Sequence, residues 1–357
     1  MSVRAQRLAD RLPEIGADVI VVTSLINVRY LTGFTGSNGL VLVGPDIRAF
    51  ITDFRYVEQS AAEVDIAFDR RTSQTDLVEA IADLLPTGSV RLAFEDSHLT
   101  VRSHAKLREL MPERVELVAA GDPVEQLRAV KDAEEIRRIA AATELADAAL
   151  RTIMEHGLVG RTERQVATAL ERTMQDLGAE GPSFDSIIAA GPHGALPHAT
   201  PTDVEITPGQ LVVVDWGAGL DGYFSDCTRT LATGELDEAA QIVYDIVHQA
   251  QLAGLDAVLP GAGGREVDGA ARAVIADAGH GEHFGHGLGH GVGMEVHEAP
   301  RLSQRSDSVL ADGNVVTVEP GIYLPGQFGV RIEDLVVVTE SGRQILTSIP
   351  KELITVS

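Results

Sequence analysis

Between His283 and Glu298 the chain reads HFGHGLGHGVGMEVHE, and within it Gly285, Gly287, Gly289, Gly291 and Gly293 alternate strictly with other residues. Glycine in a helix interior costs about 1 kcal/mol relative to alanine, so a run this dense in glycine is not helical. That excludes a zincin-type metal site, which needs two histidines one turn apart on a helix with a glutamate after the first. The HExxH glutamate is missing as well. His283, His286, His290 and His297, four of the chain's 11 histidines, lie in this run. If one of them binds a metal, its other ligands lie elsewhere in the chain.

Length and charge narrow the setting. With 357 residues, 44% apolar and 23% charged, the chain is an ordinary globular protein, long enough for two domains of usual size. Its 29 basic and 53 acidic residues leave a formal net charge of −24, which argues against nucleic acid or anionic membrane as partner and for a small molecule. Cys227 is the only cysteine, so no intrachain disulfide forms. The stretch MSVRAQRLADRLPEIGADVIVV has no apolar run of signal-peptide or membrane-spanning type. A reducing cytoplasm is the expected location.

ADVIVVTS, NGLVLVG, IRAFITD, SVRLAFED and VELVAAG read as strands, with TSQTDLVEAIADLLP as a helix among them. This is the pattern of a small α/β domain. Near AAGDPVEQLRAVKD it gives way to a long amphipathic helix, KDAEEIRRIAAATELADAALRTIMEHG, opened by acidic residues and closed by glycine. A boundary near residue 125 gives domains 1–125 and 126–357. The second continues with TERQVATALERTMQDLG, capped in the Thr162-to-Gln165 pattern, then a Pro/Gly loop, a hairpin, two more helices and a terminal β region.

Two pairs of carboxylates fall on predicted hairpins. LVVVDWGAGLDGYFSDCTRTLA turns at Asp221-Gly222, a strong two-residue hairpin signal. With Leu220 opposite Tyr223, Asp215 faces Thr228 and Asp226 follows on the same face, as a diagonal neighbour about 7–8 Å away. Cys227 points to the other face. An acid that ends an apolar run is buried at high cost unless something compensates it. The same stretch contains GAGLDG, which imitates a dinucleotide fingerprint, but YFSDCTRT follows where a helix is required. A nucleotide-dependent oxidoreductase is therefore disfavoured. In NVVTVEPGIYLPGQFGVRIEDLVVV, Glu319 and Glu333 are centred on Gly326 and fall opposite each other in a symmetric hairpin, with Arg331 on the face of Glu333. Facing glutamates repel unless a cation lies between them. Pairing with Arg331 alone is the less favoured alternative. Asp215, Asp226, Glu319, Glu333 and one histidine make a hard oxygen-plus-imidazole donor set of the kind that takes manganese, cobalt or zinc. Two such ions can lower the pKa of a water and polarise a carbonyl.

VVDWGA, FSDCTRT, HGLGHGVGMEVHE, TVEPGIY and VRIEDLVVV, in that order, closely resemble the pita-bread metallopeptidases, the group of aminopeptidase P, prolidase, methionine aminopeptidase and the metal-free creatinase. The resemblance covers essentially the whole chain. It implies an α/β N-terminal domain of creatinase/prolidase type, an α+β pita-bread catalytic domain, and two divalent ions, manganese first with cobalt or zinc as alternatives. Asp215 would then hold one ion, Asp226 and Glu333 both, and His290 with Glu319 the other. His297 resembles the donor to the reacting carbonyl, His198 in GALPHATP the substrate-side histidine, and Glu319 the proton carrier. Arg331 joins the catalytic set, and His286 is a pocket wall. The sizeable N-terminal domain, with LINVRYLTGFTGSNG and ITDFRY, resembles short Xaa-Pro aminopeptidases. The implied activity is cleavage of the Xaa-Pro bond of short proline-containing peptides by a homodimer, with prolidase close behind. A silent binding protein on the same fold is the reading from another class.

Overall fold

The β-branched runs of the first part form one six-stranded sheet in the computed structural model, which describes residues 2–357. Its strands are Val19–Val22 (β1), Gly39–Val43 (β2), Arg48–Asp53 (β3), Asp69–Ser73 (β4), Val90–Phe94 (β5) and Val115–Ala119 (β6). They lie in the order β4-β3-β2-β1-β5-β6. β2 runs antiparallel to both its neighbours and the remaining pairs are parallel. β4 has no apolar pattern: DRRTS is exposed at four of its five positions, and it joins the sheet as a parallel edge strand through backbone pairing with β3. The helix expected over TSQTDLVEAIADLLP is shorter and mixed, with a 3₁₀ turn at Leu77–Ala80 and an α-turn at Ile81–Leu84. Asp76 starts it late, because its side chain accepts the Val78 N–H, and the residue before Pro86 is turned to extended geometry. The chain divides into two compact units, the first ending at Arg128 and the second spanning Ala129–Ser357.

The second unit opens with helix Ala133–His156, where Asp132 and Glu135 form a capping box and Gly157 ends the helix. Helix Glu163–Asp176 follows, with the Thr162/Gln165 box. Next come Gly181–Pro182 (β7), Ile187–Ala190 (β8), Leu211–Trp216 (β9), Ala218–Leu220 (β10), Tyr223–Phe224 (β11) and Cys227–Ala232 (β12). They form the sheets β12-β9-β8 and β11-β10-β7. After helices Glu238–Ala257 and Gly264–Asp277 come Gly289–Gly291 (β13), Glu298–Leu302 (β14), Val315–Val318 (β15), Gly321–Leu324 (β16), Phe328–Arg331 (β17), Asp334–Thr339 (β18) and Gly342–Ile345 (β19). These give the sheet β14-β13-β15-β18-β19 and the ribbon β16-β17.

The β12-β9-β8 sheet and the β14-β13-β15-β18-β19 sheet each have their own helical cover, so the unit is built as two halves. Ala146, Leu150, Ile153, Val166 and Leu170 from the first two helices pack on Ile188, Val212, Val214, Trp216 and Leu231. Val243, Val247, Leu255, Val267, Ala271 and Ile275 from the later two pack on Val316, Val318, Val336 and Val338. Burial of these side chains stabilises each half at about 1.5–3 kcal/mol per fully covered large aliphatic residue.

Both hairpin registers follow the sequence pattern. Leu220 pairs with Tyr223 and Asp215 with Thr228. Asp221 and Gly222 have φ of 52° and 75°, the positive-φ pair a type I′ turn needs. That leaves GAGLDG as a strand and a turn with no helix behind it. On the other hairpin Gly321 pairs with Arg331 and Val318 with Asp334, every couple centred on Gly326. Glu319 and Glu333 face each other in the gap between the two ladders.

The glycine run takes its meaning from β13. A Cβ on Gly289 would lie 2.0 Å from the Thr317 carbonyl oxygen, and one on Gly291 would lie 2.1 Å from that of Ala299. Bare backbone is therefore required on one face of β13, while His290 points from the other. Gly289→Ala is expected to destabilise the fold by roughly 3 kcal/mol or more, since overpacked sites typically lose 1–3 kcal/mol and here the obstacle is backbone. Denaturant unfolding measures it; an unchanged midpoint would contradict this strand packing.

Candidate metal centre

Each candidate ligand sits where a buried strand begins or ends, or in the middle of β13. Asp215 lies in β9 and Asp226 directly precedes β12, so one hairpin carries both. Glu319 follows β15 and Glu333 precedes β18. Oxygen atoms of Asp215, Asp226 and Glu333 lie within 4.8 Å of one another, and so do ligand atoms of Asp226, His290 and His297. His290 Nε2 stands 3.3 Å from Glu319 Oε1 and 3.6 Å from Asp226 Oδ2. Its Nδ1 is 3.2 Å from the Gly291 carbonyl. With a cation bound, donation there would keep the proton on Nδ1 and turn Nε2 from its Glu319 hydrogen bond to the metal. The five residues expected to hold metal are thus brought together.

The hydroxyls around them set the carboxylate orientations. Thr228 Oγ1 donates to Glu333 Oε2 at 2.8 Å and Thr317 Oγ1 to Glu319 Oε1 at 3.0 Å. Arg331 does not pair with Glu333. Its Nη2 reaches Asp215 Oδ2 at 2.6 Å, Nε donates to Thr228 Oγ1 at 2.9 Å and Nη1 to the Tyr323 hydroxyl at 2.9 Å. Face sharing along one strand pointed to the nearer acid, whereas the long arginine side chain reaches across to the other hairpin.

The electrostatics of this cluster are those of a cation site. Burial raises the Asp226 and Glu333 carboxyls well above the usual range, and repulsion from neighbouring acids adds to it. Burial also raises Asp215, against the pull of Arg331. Glu319 is penalised by burial too, but its hydrogen bond with His290 and nearby positive charge hold it low. Asp215 Oδ1 and Glu333 Oε1 are buried with no hydrogen-bond partner among the described residues. An orphaned carboxylate oxygen is costly in this setting, and divalent cations with oxygen preference fit the gap.

The cluster floors a cavity of about 530 Å³. His198 and His297 are both exposed on its wall, and the His297 ring stands 4.3 Å from that of His290, edge on. His286 also lines the cavity; its Nε2 lies 2.9 Å from the Tyr323 hydroxyl and burial lowers its pKa. Burial lowers His297 as well, helped by His290 and Arg301. His280 and His283 do not line the cavity. Sequence reasoning missed Thr317, Tyr323 and Arg301. Thr317 was within reach, because it shares a strand face with Glu319 by two-residue alternation. Tyr323 and Arg301 have no such local signal.

A family model described as Metallopeptidase family M24 matches residues 137–340. The chain belongs to metallopeptidase family M24. A second model, the Creatinase/Prolidase N-terminal domain, matches residues 4–130, so this M24 peptidase has the creatinase-type α/β domain followed by the pita-bread catalytic domain. It is 43% identical over 352 residues to YqhT of Bacillus subtilis, an uncharacterized peptidase, covering 98% of this chain and 99% of that one. Among solved structures it is similar to an Xaa-Pro dipeptidase from Bacillus anthracis, with TM-score 0.95 and 40% identity over 99% of both chains. It is also similar to the X-Pro aminopeptidase from Thermotoga maritima, with TM-score 0.91 and 36% identity, covering 99% of this chain and 100% of that one. M24 membership makes it a metallopeptidase rather than a silent binding protein, and implies divalent metal ions. Among the described residues no helix is long and apolar enough to cross a membrane.

Because burial and mutual repulsion favour the protonated Asp226 and Glu333 carboxyls, a cation competes with protons there, so metal binding is expected to release protons and its apparent affinity to rise with pH above the ordinary carboxylate range. Titrating Mn²⁺ into chelator-treated protein in two buffers of different ionisation enthalpy measures that release. Identical heats in both buffers would contradict the raised carboxyls.

Proposed function

We propose that this M24 peptidase hydrolyses the Xaa-Pro bond of short peptides, using two divalent ions, Mn²⁺ first with Co²⁺ or Zn²⁺ as substitutes. Asp215, Asp226, His290, Glu319 and Glu333 hold them. The observation that carries the reading is the carboxylate cluster with two orphaned oxygens at the floor of a peptide-sized cavity. When bound, a pair of divalent ions lowers the pKa of a water and polarises the scissile carbonyl.

The chain's own residues orient the peptide and move protons. Glu319, 17% exposed at the edge of the cluster, takes the proton of the attacking water and passes it to the leaving imide nitrogen. His297 donates an N–H to the carbonyl oxygen as charge grows there, and His198 contacts the substrate from the opposite loop. Arg331 orients Asp215. An Xaa-Pro bond has no N–H, so selection rests on ring shape and on the peptide's ends. Phe184, Ile187, Pro197 and Ala199 offer an apolar wall, and exposed Arg301 offers a cation for a free carboxylate. A dipeptide presents that carboxylate directly on the proline, so Arg301 favours Xaa-Pro dipeptides. Aminopeptidase P-like action on longer peptides is the second reading, supported by the likeness to the Thermotoga enzyme. The family resemblance further supports a homodimer, and the lone, buried Cys227 a reducing, cytoplasmic setting.

Arg301→Met is expected to raise KM for an Xaa-Pro dipeptide about tenfold or more, while leaving an amidated Xaa-Pro-Yaa peptide nearly unaffected. Equal effects on both substrates would remove the dipeptide preference. His297 lies within reach of the same atoms as His290, so the two need separating. His297→Ala should keep its metal and lose on the order of a hundredfold in kcat, whereas His290→Ala should lose metal and activity together. Elemental analysis beside steady-state kinetics tells them apart, and metal loss from the His297 variant would make His297 a ligand.

A further inference from the structure

The candidate ligands come from two different sheets, which raises the question of what fixes the distance between them. Asp226 precedes β12 of the β12-β9-β8 sheet, while Glu333 precedes β18 of the β14-β13-β15-β18-β19 sheet. No ladder joins β12 to β18 in the sheet pairing of the described residues. One backbone hydrogen bond crosses the seam at this point, from Glu333 N–H to the Thr228 carbonyl at 3.0 Å.

Arg331 spans the seam on the cavity side, through Asp215 and Thr228, and a second buried guanidinium spans it from behind. Arg229 on β12 is 1% exposed and points away from the cavity, since Thr228 and Thr230 on either side of it both bond to Arg331. Its Nη1 donates to the carbonyls of Thr228 and Glu333. Its Nη2 donates to Asp334 Oδ1 at 2.7 Å and to the Ile349 carbonyl at 2.6 Å, and Nε donates to the Pro350 carbonyl at 2.9 Å. All five N–H donors of the fork are used. Asp334 is held in turn by Gln251 Nε2 and Lys351 Nζ, each at 2.9 Å from Oδ2. The Cys227 thiol also donates to the Glu333 carbonyl. A hydrophobic filler would plug this space equally well, but it could not grip the main chain of a metal-binding residue.

We propose that Arg229 is a positioning residue of the metal centre: braced by Asp334, Lys351 and the Ile349–Pro350 carbonyls, it sets the spacing between Asp226 and Glu333 from behind. The inference rests on the reading of Asp226 and Glu333 as ligands. Groups that orient metal ligands from outside typically change metal affinity or activity 10–100-fold when altered.

The test uses full-length, chelator-treated protein, with Mn²⁺ titrated calorimetrically and Co²⁺ absorption as a report on coordination geometry. Arg229→Lys, checked for folding by circular dichroism, is expected to bind Mn²⁺ about 10–100-fold more weakly and to shift the Co²⁺ visible bands. Its kcat should fall at saturating substrate with KM little changed. A folded Arg229→Lys with wild-type Mn²⁺ affinity and Co²⁺ spectrum overturns the proposal. If that variant does not fold, Lys351→Met loosens Asp334 while leaving Arg229 in place, and a severalfold loss of Mn²⁺ affinity is expected. Unchanged affinity and spectrum there overturn it as well. Wild-type protein that takes up no Mn²⁺ overturns the metal-centre reading itself, whereas wild-type uptake with unaltered variants overturns this inference alone.

Discussion

Repulsion among Asp215, Asp226 and Glu333 governs the architecture around it. Three clustered carboxylates whose oxygens approach within 4.8 Å, two of them buried, resist ionising together unless positive charge compensates them. The surrounding structure holds them together nonetheless. Arg331 takes one oxygen of Asp215 and Thr228 one of Glu333, leaving the opposite oxygen of each unpaired. The buried helical cover on both sheets supplies the rigidity that keeps the acids in place against their mutual push.

The hairpins were the most legible part of the sequence. Asp221-Gly222 requires positive φ at two consecutive positions, and once that turn is fixed, strand alternation fixes the partner of Asp215. Gly326 does the same for Glu319 and Glu333. Capping boxes at Asp132 and Thr162 were legible for a similar reason, because a cap is a local hydrogen-bond pattern written within four residues. M24 membership and the fold were legible from motif order. Readings that depended on reach or on tertiary pairing fared differently. β4 carries no apolar alternation because it is an exposed edge that needs only its backbone, and Asp76 delayed a helix that periodicity alone began too early. Arg331 passed over the acid on its own strand face for one on another hairpin. A side chain spanning several ångströms cannot be aimed from spacing.

The glycine run shows how a backbone constraint can look like a chemical motif. Four histidines in sixteen residues suggest a cage, yet only His290 and His297 come near the carboxylates, while His286 is bonded to Tyr323. The alternating glycines serve close strand approach, at Gly289 against Thr317 and at Gly291 against Ala299. Chemistry therefore falls on the even-numbered positions of that strand and packing on the odd ones.

The two-halved construction of the second unit has a consequence for how the chain matures. Asp215 and Asp226 belong to the first half, and His290, Glu319 and Glu333 to the second, so a nascent chain that has emerged as far as β12 displays two of the five groups. Long-range pairing of this kind is reached only after considerable loop closure. Any cation that these five residues hold would then be taken up after both halves have docked, because a chain that ends before β13 carries only two of them.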